Sequence, residues 1–432
     1  MIRSEKCEVI IYIEMKKVIL SILLALVGGF IWASTIPTNL PKYKAIVRSR
    51  TDEIKNISDE AKFYLVTCEP GEVIYERFGH SGIRVYDPIT GIDEIFHWGL
   101  FSFDTPNFVG RFIEGKTDYE MGVYSTKFFL LQYIDRGSSV YAQELDLTSA
   151  QKKELWEKLW ENYLPQNRKY RYNFIYDNCA TRAYQLIISV YDYQVYLNYD
   201  LQQITYRDII NKYVPLTSPF NLMINIIIGK QADRYISTKE SVSFPIYTME
   251  ALNHTEFVSN NEIYPVVKNL EIIHRASFKE FISTNLFSYG FTIILLILTS
   301  ICILYTYRKK RYLPYFSQFI LFISGLIGII ICYLWFFSDH PLVNNNMNIL
   351  WCNPLNLVLA ILLFIRHNVI LRKIKIILSI FSVLSSFTYI IMLILSVQNI
   401  TIHIFSLWVL VFITTLSVLY TYRNKISILS HK

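Results

Sequence analysis

Charge is scarce in this chain. Lys, Arg, Asp and Glu make up 18% of its 432 residues, against roughly 25% in a soluble domain, which argues against a wholly soluble protein. The shortage is uneven. Residues from about 35 to 285 are mixed in charge, whereas from about 287 onward apolar stretches alternate with short basic loops. The formal charge of +7, from 42 basic and 35 acidic residues, is therefore no nucleic-acid footprint. Much of the excess sits in those loops, and the polar part holds no basic aromatic stripe or RNA-binding motif. Cysteine is scarce too. Of the six, Cys7 precedes the first apolar run and Cys302, Cys332 and Cys352 lie in or beside later ones. Only Cys68 and Cys179 share the polar region, too few for a disulfide framework. Neither an HxxH nor an HExxH spacing links His80, His97, His254 and His274, so no metal site or cofactor is expected. Internal repeats and low-complexity tracts are also absent.

What is present begins with a membrane pattern. Met15-Lys16-Lys17 precedes an apolar run from Val18 to Ala33, the layout of a signal peptide or an uncleaved anchor over 1–34. Residues 1–14 read as an upstream extension, with Met15 the more natural start. Five apolar spans follow in 287–432, at about 287–307, 313–337, 350–365, 376–396 and 404–422. Most approach the ~20 residues needed to cross a bilayer as helix. Arg308 to Arg311, then Arg366, Arg372, Lys373 and Lys375, then Arg423 and Lys425 fill alternate loops and the tail, while Ser338–Ile349 and Val397–His403 carry no Lys or Arg. Positive charge stays in the cytoplasm. The polar domain is therefore expected outside and the C-terminus inside, as an all-α bundle of five helices.

The polar region reads as an α+β domain over 35–214, with a mixed connector at 215–286. Residues 35–60 suggest a helical lead-in. Strands are expected at 62–67, 80–86, 93–98, 119–124 and 138–145, with turns at 69–72 and 87–91, giving a small antiparallel sheet. Thr148-Ser149 caps an amphipathic helix over 150–164, with Leu155, Trp156, Leu159 and Trp160 on one face. Asp177 or Asn178 caps a second helix that Cys179 opens.

That last placement carries chemistry. A thiol at a helix N-terminus meets unsatisfied N–H groups, which favour its thiolate and are expected to bring its pKa to about 7 or below. His80 opens one strand and His97 lies on the next, so a hairpin brings the two side chains within reach. Cys179 as nucleophile, His80 as base and His97 as its orienter form a thiol acyl-transfer set, with Asn178 and the Cys179 N–H as oxyanion donors. Bland readings compete. A lone Cys on an apolar helix is usually core, Asn178 is an ordinary cap, and His97 between Phe96 and Trp98 is a candidate core histidine. Cys68 stands as an alternative nucleophile or a disulfide partner of Cys179.

The run Gly79-His80-Ser81-Gly82-Ile83-Arg84-Val85, with Phe96-His97 and then Asn178-Cys179, resembles the circularly permuted papain-like fold of the lecithin–retinol acyltransferase type. It departs from that group at Ala180-Thr181-Arg182, so the acceptor is not carried over. A broader resemblance rests on Thr67-Cys68-Glu69-Pro70-Gly71, Arg77-Phe78-Gly79-His80-Ser81, Tyr172-Asn173-Phe174 and Tyr176-Asp177-Asn178-Cys179-Ala180-Thr181-Arg182. His340-Pro341 and Leu350-Trp351-Cys352-Asn353-Pro354-Leu355-Asn356 extend it. These are similar to the Lnb family, implicated in N-acylation of bacterial lipoproteins. The resemblance implies an inner-membrane enzyme with a periplasmic domain. It takes an acyl chain from membrane phospholipid through a Cys179 thioester and passes it to diacylated lipoproteins, with His80 and Cys179 as the catalytic pair. A tethered cell-wall peptidase and a non-enzymatic membrane assembly or binding protein are the rival readings.

Overall fold

A computed structural model describes residues 56–102, 105–191, 195–199, 203–216, 218–259, 261–276, 285–365 and 369–429. The expected signal or anchor segment, Cys7, most of the 35–60 lead-in and Arg366 lie outside them. The chain forms two compact units.

One unit is built on strands β1 (Lys62–Cys68), β2 (His80–Asp87), β3 (Ile92–Leu100), β4 (Asp118–Ser125), β5 (Val140–Leu145), β6 (Lys169–Arg171) and, far along the chain, β10 (Val267–His274). They form one sheet in the order β10-β5-β1-β2-β3-β4-β6, with every neighbouring pair antiparallel. A second, three-stranded sheet joins β7 (Val195–Leu197), β8 (Thr255–Ser259) and β9 (Glu262–Pro265). Strand β1 is buried at every position after Lys62. It is covered on both faces, which is why it reads as a continuous apolar run rather than an alternating one.

On one face Phe63, Leu65, Ile83, Val85, Phe96 and Trp98 pack against helices α3 (Ser149–Tyr163) and α4 (Cys179–Ile188). On the other, Tyr64, Val66, Cys68, Val140 and Ala142 pack against Phe129 and Tyr133 of helix α2 (Thr126–Asp135), which follows the short α1 (Phe108–Ile113) in the chain. Each fully buried Leu, Ile or Phe here stabilises the fold by about 1.5–3 kcal/mol. Thr148 closes a capping box with Gln151 at the start of α3, at the position the sequence indicates.

The sheet is larger than the small one expected, and the stretch 215–286 is not a single connector. Helix α8 (Pro245–Asn253), preceded by the short α7 (Thr238–Ser241), and strand β10 belong to the sheet unit, because β10 pairs with β5 and the Gln143 side chain donates to Met249 O (2.9 Å) and Asn253 Oδ1 (2.6 Å). Residues 205–234 belong instead to the membrane unit. Helix α5 (Tyr206–Tyr213) and helix α6 (Pro219–Ile227) are joined there by buried Arg207. Its guanidinium donates to Asp233 (2.7 and 3.0 Å) and Asn225 (2.7 Å).

The rest of the membrane unit is helical: α9 (Asn285–Lys309), α10 (Phe316–Phe337), α11 (Leu355–Phe364), α12 (Val369–Ile394) and α13 (Ile402–Leu429). Among the described residues five segments are long and apolar enough to cross a membrane, the third running over Met347–Phe364. At one end the basic loops gather: Tyr312 N–H donates to Thr421 Oγ1 (2.6 Å) and Arg372 reaches Tyr422 O (3.4 Å). At the other end, loop 338–346 receives the α6 segment through Gly229 N–H to Leu342 O (2.7 Å) and Asn346 Nδ2 to Ile226 O (2.7 Å).

Candidate active site

Two histidines meet where β2 begins. Gly79 has a φ of +80°, and a Cβ at that position would stand 2.5 Å from Cys68 O. Only glycine fits such a turn, which delivers His80 into register opposite Cys68. Strand β3 pairs Gly82 with His97, two residues further along. The rings span that diagonal, and His80 Nε2 lies 3.0 Å from His97 Nδ1. Gly99 leaves the space that the His80 ring fills, since a Cβ there would be 2.8 Å from Cε1. Phe129 and Tyr124 pack against the pair, with ring centroids 5.4 and 4.8 Å from that of His97.

Cys179 is the first residue of α4, as expected. Asn178 caps the helix: its Oδ1 accepts from Ala180 N–H (2.9 Å) and Thr181 N–H (3.1 Å), and Thr181 Oγ1 accepts from Asn178 N–H (2.8 Å). Asp177 binds Arg182 through two contacts (2.5 and 2.8 Å), and the guanidinium lies 3.9 Å over the Tyr170 ring. The turn before the thiol is thereby clamped from both sides. The backbone N–H groups of Ser81, Ala180 and Cys179 face the sulfur and favour its thiolate. Ser81 follows His80 in the chain, so the thiol and the histidine pair are neighbours through one residue of β2.

A family profile described as the Lnb N-terminal periplasmic domain matches residues 50–212, and one described as the Lnb transmembrane domain matches residues 284–425. The chain belongs to the Lnb family. No curated protein and no solved structure gives a significant match. The sheet unit holding His80, His97 and Cys179 overlaps the periplasmic profile and the five-helix unit the transmembrane one, so this is a multi-pass membrane protein of the Lnb type.

The electrostatics of this Lnb site differ from the expected thiolate. Burial pushes the Cys179 thiol up to about 11, outweighing the three N–H groups that pull it down. The N–H groups at the helix start act in the expected direction, but desolvation of the sulfur is the larger effect. Burial also lowers His80 well below its ordinary value, helped by His97 and the Arg136 guanidinium, and it lowers His97 to about 4. At neutral pH all three groups are therefore uncharged. A neutral His97 can accept from His80 Nε2–H only with its own proton on Nε2. That atom is buried without a hydrogen-bond partner among the described residues. His80 Nδ1 is then the nitrogen left to take a proton.

Asn178 is placed differently from the oxyanion donor expected of it. Its Nδ2 donates to Phe174 O (2.8 Å) and Ser243 O (2.9 Å), so both of its N–H groups are used. Cys68 is fully buried, its thiol is pushed up by burial, and both it and Cys179 are free, which disfavours the alternative nucleophile and the disulfide. His254 stacks on Tyr199 and bonds Glu250 O (2.8 Å) at the end of α8.

Sequence reasoning missed three contributors. The Ser81 N–H gave no side-chain signal. Arg136 bridges Glu76 (3.2 Å), Ser138 (2.9 Å) and Glu69 O (3.1 Å), bracing the loop that leads into His80. Ser243 comes from a segment read as connector. A cleft of about 710 Å³ beside Trp156 and Trp160 is lined by none of His80, His97 and Cys179.

Proposed function

We propose that this Lnb-family chain is a thiol acyltransferase that moves an acyl chain from membrane phospholipid to the N-terminal amine of diacylated lipoproteins. The observation that carries the reading is the His97–His80 contact at 3.0 Å beside a helix-opening thiol that three backbone N–H groups face.

His80 Nδ1 takes the thiol proton as the sulfur attacks an ester carbonyl of the phospholipid. The new imidazolium keeps its Nε2–H on His97 Nδ1, whose neutral lone pair stabilises it. The oxyanion is held by the N–H groups of Cys179 and Ser81, while Asn178 acts one step back by fixing the helix end. The C–O bond to the lysophospholipid breaks, and His80 returns its proton to the departing oxygen. The amine of the second substrate then attacks the thioester. A C–N bond forms, the C–S bond breaks, and the amine's proton returns by way of His80 to the sulfur. A resting neutral set suits this sequence, because a half-buried thiol that keeps its proton reacts once a carbonyl is seated.

The basic loops support an inner-membrane topology with the C-terminus in the cytoplasm and the sheet unit in the periplasm, the side on which the proposed lipid substrates would meet it. The test is mass spectrometry of detergent-purified protein given phospholipid with an isotopically labelled acyl chain. The expected result is a hydroxylamine-labile adduct on Cys179 that is absent in His80→Ala. Release of stem peptides from peptidoglycan with no adduct would overturn the reading in favour of a tethered peptidase.

A further inference from the structure

The end of the membrane unit near loop 338–346 contains many buried amides, and several of them bond through both nitrogen and oxygen. Asn348 donates to Ile226 O (3.0 Å) and accepts from Tyr389 Oη (2.8 Å) and Trp351 Nε1 (3.1 Å). Asn346 donates to Ile226 O (2.7 Å) and accepts from Asn348 N–H (3.0 Å). Asn356, the second residue of α11, donates to Ser324 Oγ (3.0 Å) and Trp351 O (3.0 Å) and accepts from Ser382 Oγ (2.7 Å).

Asn344 Oδ1 is buried without a partner among the described residues, and at Asn353 both amide atoms, Nδ2 and Oδ1, are. Asn353 is 6% exposed. It stands immediately before Pro354, the N-cap of α11, and its backbone carbonyl accepts from Asn356 N–H (3.0 Å). Its backbone is fixed: a Cβ on Gly328 of α10 would stand 1.6 Å from Cys352 O and 2.9 Å from Asn353 C. The amide is held in place, inside an apolar bundle, with its whole bonding capacity unused. Such a group is strongly unfavourable unless something pairs with it.

We propose that Asn353 is the polar contact of a lipid-binding site within the membrane unit, and that it binds the ester carbonyl region of a diacylglyceryl group. The charge pattern selects that chemistry. Loops 338–349 and 397–403 carry no Lys or Arg, and the Arg207 guanidinium of this unit is fully engaged by Asp233, Asn225 and backbone carbonyls. The exposed Lys230 follows Gly229 beside this loop, but the polar contact at Asn353 itself is uncharged. A neutral amide matches a neutral carbonyl, and ester carbonyls lie at the edge of the hydrocarbon, where a residue early in a spanning segment sits. Phospholipids and diacylated lipoproteins share this group. The proposal deepens the acyl-transfer reading and rests on it for the identity of the lipid, but not for the existence of the site.

The experiment uses the full chain as Cys179→Ala in nanodiscs, so that no thiol chemistry intervenes. A phosphatidylethanolamine with a diazirine beside its ester is photolysed, and labelled peptides are mapped by mass spectrometry. Labelling in 347–364 is expected, falling at least fivefold in Asn353→Leu with an unchanged melting profile. Competition by excess unlabelled phosphatidylethanolamine assigns the site to the donor, and competition by a diacylated lipopeptide alone assigns it to the acceptor. If Asn353→Leu does not fold, Asn353→Gln is expected to retain the label and Asn353→Ser to lose it. Equal labelling with and without the amide overturns the proposal and leaves a buried water as its partner. Because the thiol is absent, a failed Cys179 adduct in the wild-type protein and a failed label here are separate results.

Discussion

A thiol pushed up to about 11 makes a quantitative prediction about reactivity. At pH 7.5 the thiolate fraction of Cys179 is about 1 in 3,000, against about 1 in 10 for a free cysteine of pKa about 8.5. The deficit is roughly 300-fold. A more basic thiolate is more nucleophilic, and with a Brønsted slope near 0.45 the 2.5-unit difference returns about tenfold. Alkylation of Cys179 by iodoacetamide should therefore run roughly 20–30 times slower than that of a cysteine peptide, before any steric hindrance. The measurement is peptide-resolved mass spectrometry of purified protein over pH 6 to 11. The rate should climb about tenfold per pH unit without a plateau below pH 10. His80→Ala should leave it within about threefold, since His80 is uncharged at rest and supports no ion pair. A plateau near pH 7, or a tenfold fall in His80→Ala, would show a preformed thiolate–imidazolium pair and refute the reasoning.

Replacing His97 with Phe removes the acceptor for His80 Nε2–H and should slow acyl-enzyme formation about 100-fold or more, with His97→Gln milder, as read by labelled-adduct kinetics. Asn178→Ala strips a cap and two carbonyl contacts. A loss of about 1–2 kcal/mol is expected from the cap alone, visible as a lower melting temperature; an unchanged one would deny it the clamping role. The folded-state pKa values of His80 and His97 lie below the ordinary histidine value. Their contribution to stability is therefore complete above about pH 6.5 and is lost as pH falls toward 4, so a melting temperature flat from pH 7 to 4 would contradict the neutral pair. Gly328→Ala places a methyl against the Cys352 carbonyl and should lower the yield of folded membrane protein in a detergent extraction assay.

The parts legible in sequence were those set by local chemistry. Thr148 and Asn178 announce helix starts, the β2–β3 hairpin follows from its turn, and the spans follow from length and hydropathy. The legible part of the site was likewise what two adjacent strands and one helix terminus bring together. The balance of forces on the sulfur was not legible. Whether N–H groups or loss of water dominates at Cys179 depends on the side chains around it, among them Tyr170 and Tyr172, which come together only in the fold. Ser243 O, bonded by Asn178 across 65 residues of chain, left no local trace. Strand β10 was hidden for a related reason. As an edge strand it has an exposed middle, Lys268 to Ile272, that lacks the alternation by which a half-buried strand is recognised.

The order in which the sheet is completed bears on how the chain is made. Strand β5 is finished at Leu145, but its outer neighbour β10 begins only at Val267, after the whole 205–234 segment of the other unit has been synthesised. During export, the β5 edge and its buried Gln143 wait more than a hundred residues for their partners, with an open row of backbone groups of the kind that recruits stray strands. A fragment ending near 214 would be left in that state permanently. The sheet unit is thus incomplete without residues beyond 267, and its last strand arrives only just before α9, the first of the five described spans.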